Sequence, residues 1–365
     1  MRRNRYRVGL DSRLTLFDSA GIGGYIRNLA AGIKSVRGHD AVVPLIDFRD
    51  SSWTGSEISV VGPAHSRLGD ALFAMQLPAI GLDLLHAPDH VLPPRLRTPS
   101  VVTIHDLSFW AMPETHSPGS RRYYERCRES VLRANAVICV SEFTRDELFR
   151  LSDVDRRKVH VAPSGLGAGF SAVDPLAIKQ RRSKYGLDGR YVIFVGTLGR
   201  RKNVVRLIEA FYKAAADKDV TLVLAGGVGN AGEDVRRAIG KTGLGQSVRS
   251  LGSPPDSDMA ALIAGADFLA LVSLYEGFGH PVLEAMACKT PSLISNRRPL
   301  TDLAGPAGFP VDPLDVDDIA GGIDALLEDG GLRSRLGNVG PELAMRYSWE
   351  RAANRTYEIY EKVLN

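Results

Sequence analysis

Short β-rich runs alternate with helical segments from one end of the chain to the other, and this alternation limits the fold more than any other feature. The first predicted strand covers 7–10 and the last covers 292–294, and helical segments such as 25–36 and 206–216 lie between such runs. Strands that alternate with helices of this length are typical of parallel sheets built from βαβ units. The sequence therefore predicts an α/β protein.

A polar break at 174–190 interrupts the series of predicted strands. The chain has 365 residues, and a typical domain has about 150, so two domains are expected, with a boundary near residue 173. The C-terminal segment has a helical period, and Ser348 suits its N-cap. The apolar face of this helix must pack against another part of the protein. Its residues are Trp349, Ala353, Tyr357, Tyr360 and Leu364.

The composition excludes several classes of protein. Forty-six basic against 42 acidic residues leave a net charge of +4, which is too small to indicate a nucleic-acid-binding protein. The 3 cysteines are far apart and form no CxxC pair, so neither a disulfide framework nor a zinc site is expected. The N-terminus has no apolar signal-peptide core, and the longest apolar run, 268–272, is much shorter than a membrane span. We expect a cytoplasmic protein that at most attaches to the inner face of a membrane.

The segment 273–286, SLYEGFGHPVLEAM, follows a predicted strand and enters a predicted helix. Pro281 takes a favoured first helical position, and the glycine-rich turn before it leaves backbone N–H groups accessible at a helix N-terminus, where anions bind. Glu284 lies in the first helical turn, where a carboxylate can accept hydrogen bonds from a vicinal diol, and Glu276 lies in the loop. The pattern suits a sugar nucleotide. A tight strand-to-helix turn, with a glutamate favoured by the helix dipole, explains the same residues.

Three consecutive cations, Arg200, Arg201 and Lys202, follow another predicted strand and precede a helix. Positive charge at a helix N-terminus opposes the helix dipole, so local stability does not explain it. A bound anion would, because arginine offers a planar fork to phosphate oxygens and lysine a point charge. A run of solvated charges is the alternative.

Candidate residues also occur in the N-terminal half. Gly23 and Gly24 open a predicted helix, where glycines let a backbone approach a ligand closely. His105 ends a predicted strand, at the carboxyl edge where open α/β sheets bind ligands, and a structural hydrogen bond also explains it. A similar cluster, whose spacing resembles no zinc site, consists of His86, Asp89 and His90.

Around Glu276 and Glu284 the chain resembles a family 4 glycosyltransferase of the GT-B type, whose hallmark is a Glu-x7-Glu motif. The motif stands here as EGFGHPVLE, and other blocks of the family occur in the expected order. These blocks are DSRLTLFDSAGIGGYIRNL, VVTIHDLSFWAMPE, ANAVICVSEFTRDEL, VHVAPSGL, VGTLGRRKN and YSWERAANRTYEIY. The resemblance covers nearly all of the chain. Within the family, the chain resembles the bacterial mannosyltransferase-like glycosyltransferases of group 1.

The resemblance implies two Rossmann-like parallel-sheet domains that face a cleft. Residues 1–173 would form an acceptor-binding domain and residues 174–346 a nucleotide-sugar-binding domain, with a terminal helix at 347–365 that crosses back to the first. Two positions depart from the family pattern: Thr197 stands where many members have an arginine, and Lys289 stands where a glycine is usual.

The resemblance also assigns roles to individual residues. Arg201 and Lys202 would hold the diphosphate, Glu284 the ribose hydroxyls, and Glu276 the transferred sugar. Donor-binding roles would fall to Gly23, Gly24, Arg201, Lys202, Glu276, Phe278, Gly279 and Glu284. Catalytic roles would fall to His105, Glu276, Arg201 and Lys202.

The implied activity is transfer of a hexose, with retention of configuration, from a nucleoside diphosphate sugar to a glycan or lipid-linked acceptor. No metal is expected, because DxD patterns such as 153–155 and 315–317 resemble helix caps and surface turns. GDP-mannose is the first expected donor, from the likeness to bacterial O-antigen and exopolysaccharide enzymes. A two-domain sugar-nucleotide epimerase and an inactive sugar-nucleotide-binding subunit remain as alternatives.

The segment 121–133 predicts a helix with 5 arginines against 2 glutamates. If the acceptor is lipid-linked, these arginines can rest on anionic lipid, each contributing about 1 kcal/mol near the surface. An ordinary domain helix with solvated arginines is the alternative, in which the apolar face joins the core. That face consists of Tyr123, Cys127, Val131 and Ala134.

Overall fold

The computed structural model describes residues 6–17, 21–171, 173–243, 245 and 247–365. The chain folds into two compact units, and each is built around its own parallel sheet. Unit 1 consists of Met1–Gly165 and Tyr347–Asn365, and unit 2 consists of Leu166–Arg346. The predicted architecture of two Rossmann-like α/β domains is confirmed.

Unit 1 contains a 7-stranded sheet in the order β3-β2-β1-β4-β5-β6-β7, in which all neighbouring strands are parallel. The strands are β1 (Val8–Asp11), β2 (Val43–Asp47), β3 (Ile58–Val60), β4 (Leu84–Ala87), β5 (Ser100–Ile104), β6 (Ala136–Cys139) and β7 (Val159–Val161). The helices before the unit boundary are α1 (Gly21–Arg37), α2 (Arg67–Ile80), α3 (Ser108–Ala111), α4 (Pro118–Tyr124), α5 (Arg126–Arg133) and α6 (Glu142–Leu151).

Unit 2 contains a 6-stranded parallel sheet in the order β10-β9-β8-β11-β12-β13. The strands are β8 (Arg190–Val195), β9 (Val220–Ala225), β10 (Val248–Gly252), β11 (Phe268–Leu271), β12 (Ser292–Ser295) and β13 (Gly308–Val311). The helices are α7 (Pro175–Lys184), α8 (Val204–Ala215), α9 (Gly232–Thr242), α10 (Asp256–Ala264), α11 (His280–Ala287), α12 (Leu300–Ala304), α13 (Val316–Glu328) and α14 (Gly330–Ala344). Unit 1 is completed by α15 (Trp349–Leu364).

The central strands of both sheets have no solvent-facing side. Every residue of β4, β5 and β6 is buried, as is every residue of β11 and β12. Helices cover both faces of a parallel sheet, so its strands are continuous apolar runs rather than alternating ones. Polar ligand-binding groups must therefore lie where the strands end.

Two strands, β3 and β13, are absent from the sequence prediction. Both lie at an edge of their sheet, where one side of the strand makes no ladder. β3 has only 3 residues. β13 contains Pro310, and proline is tolerated at sheet edges because its missing N–H removes no bond there. A run of 3 residues and a run interrupted by proline are both weak strand patterns, and the sequence predicted neither strand.

The two units divide at Gly165–Leu166, whereas the sequence places the domain boundary near residue 173. Phe170 explains the difference, because it is already part of unit 2. Its ring is 7% exposed, and its carbonyl oxygen accepts a hydrogen bond from Cys288 Sγ at 3.1 Å.

Helix α15 packs against α1 in unit 1. Ser348 caps it by accepting a hydrogen bond from the N–H of Arg351 at 3.2 Å. A Cβ atom at Gly165 would overlap the backbone nitrogen of Trp349, so only glycine permits this approach. Further along α15, the Tyr360 hydroxyl lies 2.6 Å from Nδ1 of the buried His86. The apolar face predicted from the sequence therefore completes the core of unit 1.

The segment 121–133 is not one helix, since α4 and α5 meet at Glu125. Cys127 and Val131 of its apolar face are 0% exposed and belong to the core. Arg126 pairs with Asp70 at 2.6 Å. The apolar face therefore matches the alternative of an ordinary domain helix. No helix in the described part of the chain is both long enough and apolar enough to span a membrane.

Candidate functional site

The loop between β11 and α11 depends on a glycine at the start of the helix. Gly279 has a φ of 106°, and a Cβ atom there would lie 2.6 Å from Leu300 Cδ2. The Gly279 carbonyl oxygen accepts hydrogen bonds from the N–H groups of Val282 and Leu283. Pro281 lies in the first turn, as expected. The structure thus places a helix N-terminus at the end of β11, and the N–H groups of such a terminus attract anions.

Glu276 lies in this loop and joins two cations from a different part of the chain. Its Oε1 accepts a hydrogen bond from Lys202 Nζ at 2.6 Å and one from Ser273 Oγ at 2.7 Å. Its Oε2 accepts from Arg201 Nη1 at 3.0 Å. The Glu276 side chain is only 7% exposed. Burial acts to raise its pKa, but Lys202 and Arg201 outweigh burial, so the pKa lies below its ordinary value. We call Glu276, Arg201 and Lys202 the Glu276 cluster.

Asn203 fixes the turn that carries the two cations. It adopts a left-handed conformation with a φ of 61° and occupies the N-cap position of α8. Its buried side-chain amide donates to the carbonyl oxygens of Val272 at 3.0 Å and Pro313 at 2.6 Å. The Leu274 N–H also donates to the Arg201 carbonyl at 2.8 Å. The end of β8 is therefore tied to the end of β11 by the backbone as well as by the ion pairs.

The sequence predicts a bound anion beside the cations. In the structure an anionic group of the protein itself, the Glu276 carboxylate, lies there. Arg201 and Lys202 both contact the Glu276 carboxylate, so they are not a run of solvated charges. Arg200 points elsewhere: its Nε lies 3.4 Å from Asp234 Oδ2. The three cations thus divide into two that belong to the site and one on the surface.

Glu284 differs from Glu276 in its electrostatic surroundings. Within the described part of the chain, its carboxylate makes no hydrogen bond or ion pair. Burial, with a smaller contribution from Asp256, raises the pKa of Glu284 to about 8. Nearby His280 is held neutral, because burial and then Lys202 lower its pKa to about 4. The site therefore contains one ionised carboxylate and one whose charge depends on pH near neutrality.

Sequence reasoning did not select Asn203, Ser273 or His280. Ser273 lies just before the Glu-x7-Glu motif and His280 lies inside it, and this position is the one signal that the sequence offered. Asn203 ends the block VGTLGRRKN, but its role could not be predicted, because its acceptors lie 69 and 110 residues away along the chain. At Lys289, where the family usually has glycine, the φ is 59°. The backbone therefore keeps the left-handed conformation that favours glycine.

The other predicted site residues lie in unit 1. Gly23 and Gly24 are in the first turn of α1, and Gly23 is buried. His105 follows β5, and its Nε2 lies 2.7 Å from the carbonyl oxygen of Pro88. Its ring meets the ring of Tyr25 edge-on, with centroids 4.7 Å apart. The structural hydrogen bond expected as the alternative for His105 is therefore present.

Asp89 connects two histidines at the end of β4. Its Oδ1 lies 2.7 Å from His90 Nδ1, and its Oδ2 contacts His65 Nε2. Burial would raise the pKa of Asp89, but the bonds to both histidines hold it well below its ordinary value. Among the described residues, no group of three or more His, Cys, Asp or Glu side chains is arranged to hold a metal ion. The DxD residue Asp315 caps α13.

The chain is similar to known proteins over most of its length. Residues 178–343 match a family model described as "Glycosyl transferases group 1", and residues 20–167 match one described as "Glycosyltransferase Family 4". The chain is 32% identical over 283 residues to O-antigen chain mannosyltransferase B from Escherichia coli, covering 76% of this chain and 74% of that protein. It is 29% identical over 242 residues to alpha-D-kanosaminyltransferase from Streptomyces kanamyceticus, covering 65% of this chain and 62% of that protein.

Solved structures show the same fold at lower identity. Sucrose-phosphate synthase from Thermosynechococcus elongatus has a TM-score of 0.81 at 22% identity, over 98% of this chain and 99% of that one. WaaG, a glycosyltransferase involved in lipopolysaccharide biosynthesis, has a TM-score of 0.78 at 16% identity, over 97% of this chain and 99% of that one.

We predict that Glu284→Gln flattens the pH dependence of stability. The unfolded chain loses the Glu284 proton near its ordinary pKa of about 4.3, whereas the folded protein loses it near about 8. Between these values the unfolded state binds fewer protons, so the free energy of unfolding falls as pH rises. Without nucleotide, urea unfolding at pH 8.5 should show the variant to be more stable than the wild type by about 1 kcal/mol or more.

At pH 4.5 the two proteins should be nearly equal in stability. Glu328→Gln, which changes an exposed carboxylate in the same unit, is the matched control and should follow the wild type at both pH values. Parallel pH curves for wild type and Glu284→Gln would mean that Glu284 is solvated and ionised.

Proposed function

We propose that this chain, which belongs to the family 4, group 1 glycosyltransferases, transfers a hexose from a nucleoside diphosphate sugar to a glycan or lipid-linked acceptor, with retention of configuration. The observation that carries the proposal is the Glu276 cluster beside the N-terminus of α11. GDP-mannose is the first donor to test, because a relative at 32% identity is named a mannosyltransferase. Unit 2 would bind the nucleotide sugar and unit 1 the acceptor.

The proposed chemistry is electrostatic. When the bond from the sugar to the diphosphate breaks, negative charge grows on the leaving phosphate. Arg201, Lys202, the N–H groups of Phe278 and Gly279 and those that start α11 would stabilise this charge in place of a metal ion. Charged groups that are already oriented need little rearrangement in the transition state, and that is how fixed dipoles accelerate a reaction. The Glu276 cluster provides this orientation, since each cation has a fixed partner at 2.6–3.0 Å.

Glu276 and Glu284 would divide the hydroxyl groups of the donor between them. Glu276 is ionised and would accept hydrogen bonds from the transferred sugar. Glu284 would accept from the two ribose hydroxyls, and hydrogen bonds to a carboxylate favour its charged form. Donor binding is then expected to lower the pKa of Glu284 from about 8 and to release a proton near neutral pH. His105 would lie near the sugar, and Gly23 and Gly24 near the donor.

The first experiment separates this proposal from its alternatives by using donor without acceptor. A thermal-shift screen of nucleotide sugars selects the donor, because a ligand at 100 times its Kd stabilises a protein by about 2.7 kcal/mol. Incubation of the full chain with that donor should give slow hydrolysis, and a mannoside acceptor should then receive the sugar. Family membership does not favour an epimerase, which would instead convert the donor. A subunit that only binds would leave the donor intact.

The same reaction mixture tests the need for a metal. Transfer should continue at an undiminished rate after addition of excess EDTA. Loss of activity that added Mg²⁺ or Mn²⁺ restores would show that a metal carries the leaving-group charge, and the role given to Arg201 and Lys202 would be wrong.

We expect Arg201→Ala and Lys202→Ala each to lower kcat by about 10²-fold, with a smaller loss of donor affinity. Charge on the diphosphate grows in the transition state, so interactions with it weigh most on kcat. Arg200→Ala is the matched control, because Arg200 pairs with Asp234 rather than with Glu276, and it should keep the wild-type kcat. Urea unfolding checks that each variant is folded. If both site variants raise KM and leave kcat unchanged, the cations act only on the bound substrate.

Contact with a membrane surface, if the acceptor is lipid-linked, is proposed at α2 rather than at α5. Leu68, Leu72 and Met75 recur on one face of α2 and are 71%, 38% and 77% exposed. His65 lies just before α2, and its ring centroid is 4.9 Å from that of Tyr123. The exposed Arg122 of α4 immediately precedes Tyr123 in the chain. Apolar side chains beside cations suit an anionic bilayer.

Cosedimentation with anionic phosphatidylglycerol vesicles tests this surface. Binding should occur at low salt and weaken at high salt, because such attraction is screened over about 8 Å at physiological ionic strength. Leu68→Gln combined with Met75→Gln should reduce binding at least about tenfold. Leu176→Gln, at a 59% exposed leucine of α7, is the control. No binding at low salt would contradict the proposal.

A further inference from the structure

A narrow recess opens in unit 1 at the carboxyl ends of β1 and β4. Asp11, Arg13, His65, Asp89 and Tyr123 provide its polar lining. Asp11 is the last residue of β1, and Asp89 follows β4 by two residues. Open α/β sheets bind ligands at this edge. Neither the Glu276 cluster nor the roles proposed for unit 2 use any of these side chains.

All the donors of Arg13 are committed to the protein. Its Nε and Nη2 donate to the two oxygens of Asp11 at 2.9 and 2.8 Å, and Nη2 also donates to Asp70 Oδ1 at 3.1 Å. Its Nη1 donates to the carbonyl oxygens of Gly62 at 2.9 Å and Gly69 at 3.5 Å. A guanidinium has five N–H groups, and each of them has an acceptor here. Arg13 therefore has no donor left for a ligand.

Unlike Arg13, Asp89 and Tyr123 can still form hydrogen bonds with a ligand in the recess. Asp89 is ionised between His65 and His90, and a carboxylate oxygen that accepts one hydrogen bond can accept another. Burial, together with the charges of Asp70 and Asp89, raises the pKa of Tyr123 above its ordinary value. Its hydroxyl therefore stays protonated and can donate. The recess thus presents carboxylate acceptors and a phenol donor.

The charges around the recess do not favour an anion. Three carboxylates, Asp11, Asp70 and Asp89, face two permanent cations, Arg13 and Arg126, which are both paired with Asp70. His65 can add a positive charge, but it is bonded to Asp89. Among the described residues that line the recess, Arg13 carries the only permanent positive charge, and its donors are all committed. A phosphate would meet carboxylates, whereas a sugar hydroxyl can both donate to them and accept from Tyr123.

We propose that this recess binds a hydroxyl-bearing edge of the acceptor sugar and selects a neutral acceptor over one that carries a phosphate on that sugar. The inference rests on the proposed function, because it assumes that unit 1 binds the acceptor. It adds the chemical class of the acceptor and the side chains that recognise it.

The test compares two acceptors with the full chain and the donor selected above. Methyl α-mannopyranoside should be used with a kcat/KM at least tenfold higher than methyl α-mannopyranoside 6-phosphate. Equal use of the two, or a preference for the phosphate, overturns the proposal. No transfer to the neutral mannoside or to its di- and trisaccharide homologues, with donor hydrolysis intact, also overturns it.

Variants then link the preference to the recess. Asp89→Asn and Tyr123→Phe should each raise KM for the neutral acceptor at least tenfold and leave the rate of donor hydrolysis unchanged. Asp89→Asn should also narrow the gap between the two acceptors, because it removes a negative charge. Asp155→Asn changes an exposed carboxylate in unit 1 and should behave as the wild type.

Donor hydrolysis distinguishes a failure of the proposed function from a failure of the acceptor site in the recess. If the wild type hydrolyses no nucleotide sugar, the proposed function fails. If hydrolysis and transfer fall together in Asp89→Asn and Tyr123→Phe, with an unfolding midpoint like that of the wild type, the recess is not the acceptor site. Should Asp89→Asn fail to fold, Tyr123→Phe alone decides, since it removes one hydroxyl and keeps the ring.

Discussion

A buried carboxylate holds two loops of unit 2 together. The Glu276 side chain, 7% exposed, could not remain charged there without compensation, and Lys202 and Arg201 provide it at 2.6 and 3.0 Å. Removing one partner of such a buried pair typically costs about 3–5 kcal/mol. Because the cations follow β8 and the carboxylate follows β11, the same contacts hold the ends of two adjacent strands in place. The position of the α11 N-terminus, and with it the proposed donor site, depends on this cluster.

Unit 1 uses a similar principle with different groups. Arg13 joins Asp11 and Asp70, and Asp89 joins two histidines. In both units the central strands are buried on both faces, so polar groups gather where these strands end and must satisfy one another there. The difference lies in what remains for a ligand. Unit 2 combines cations with a helix N-terminus and suits phosphates, whereas the recess of unit 1 offers mainly acceptors and suits hydroxyls.

The architecture could be predicted from the sequence because buried parallel strands are continuous apolar runs. The edge strands β7 and β10 could be predicted as well, but the edge strands β3 and β13 could not, since β3 is short and β13 contains Pro310. Glu276, Arg201 and Lys202 were identified as separate motifs, but their mutual pairing was not, because 74 residues separate Lys202 from Glu276. Asn203 and Arg13 each lie in a block that resembles the family, but neither was assigned a role from the sequence. Their importance follows from their partners, which only the three-dimensional structure brings within hydrogen-bond distance.

The sequence order of the two units also affects how the protein folds during synthesis. Helix α15 leaves the ribosome after all of unit 2, yet its Tyr360 hydroxyl bonds His86 inside unit 1. Nascent domains generally fold as units, beginning with the N-terminal one. Here the first unit to emerge lacks one of its core helices until the second has been made. Unit 2 can therefore finish first, while the face of α1 that receives α15 stays exposed to solvent and open to aggregation.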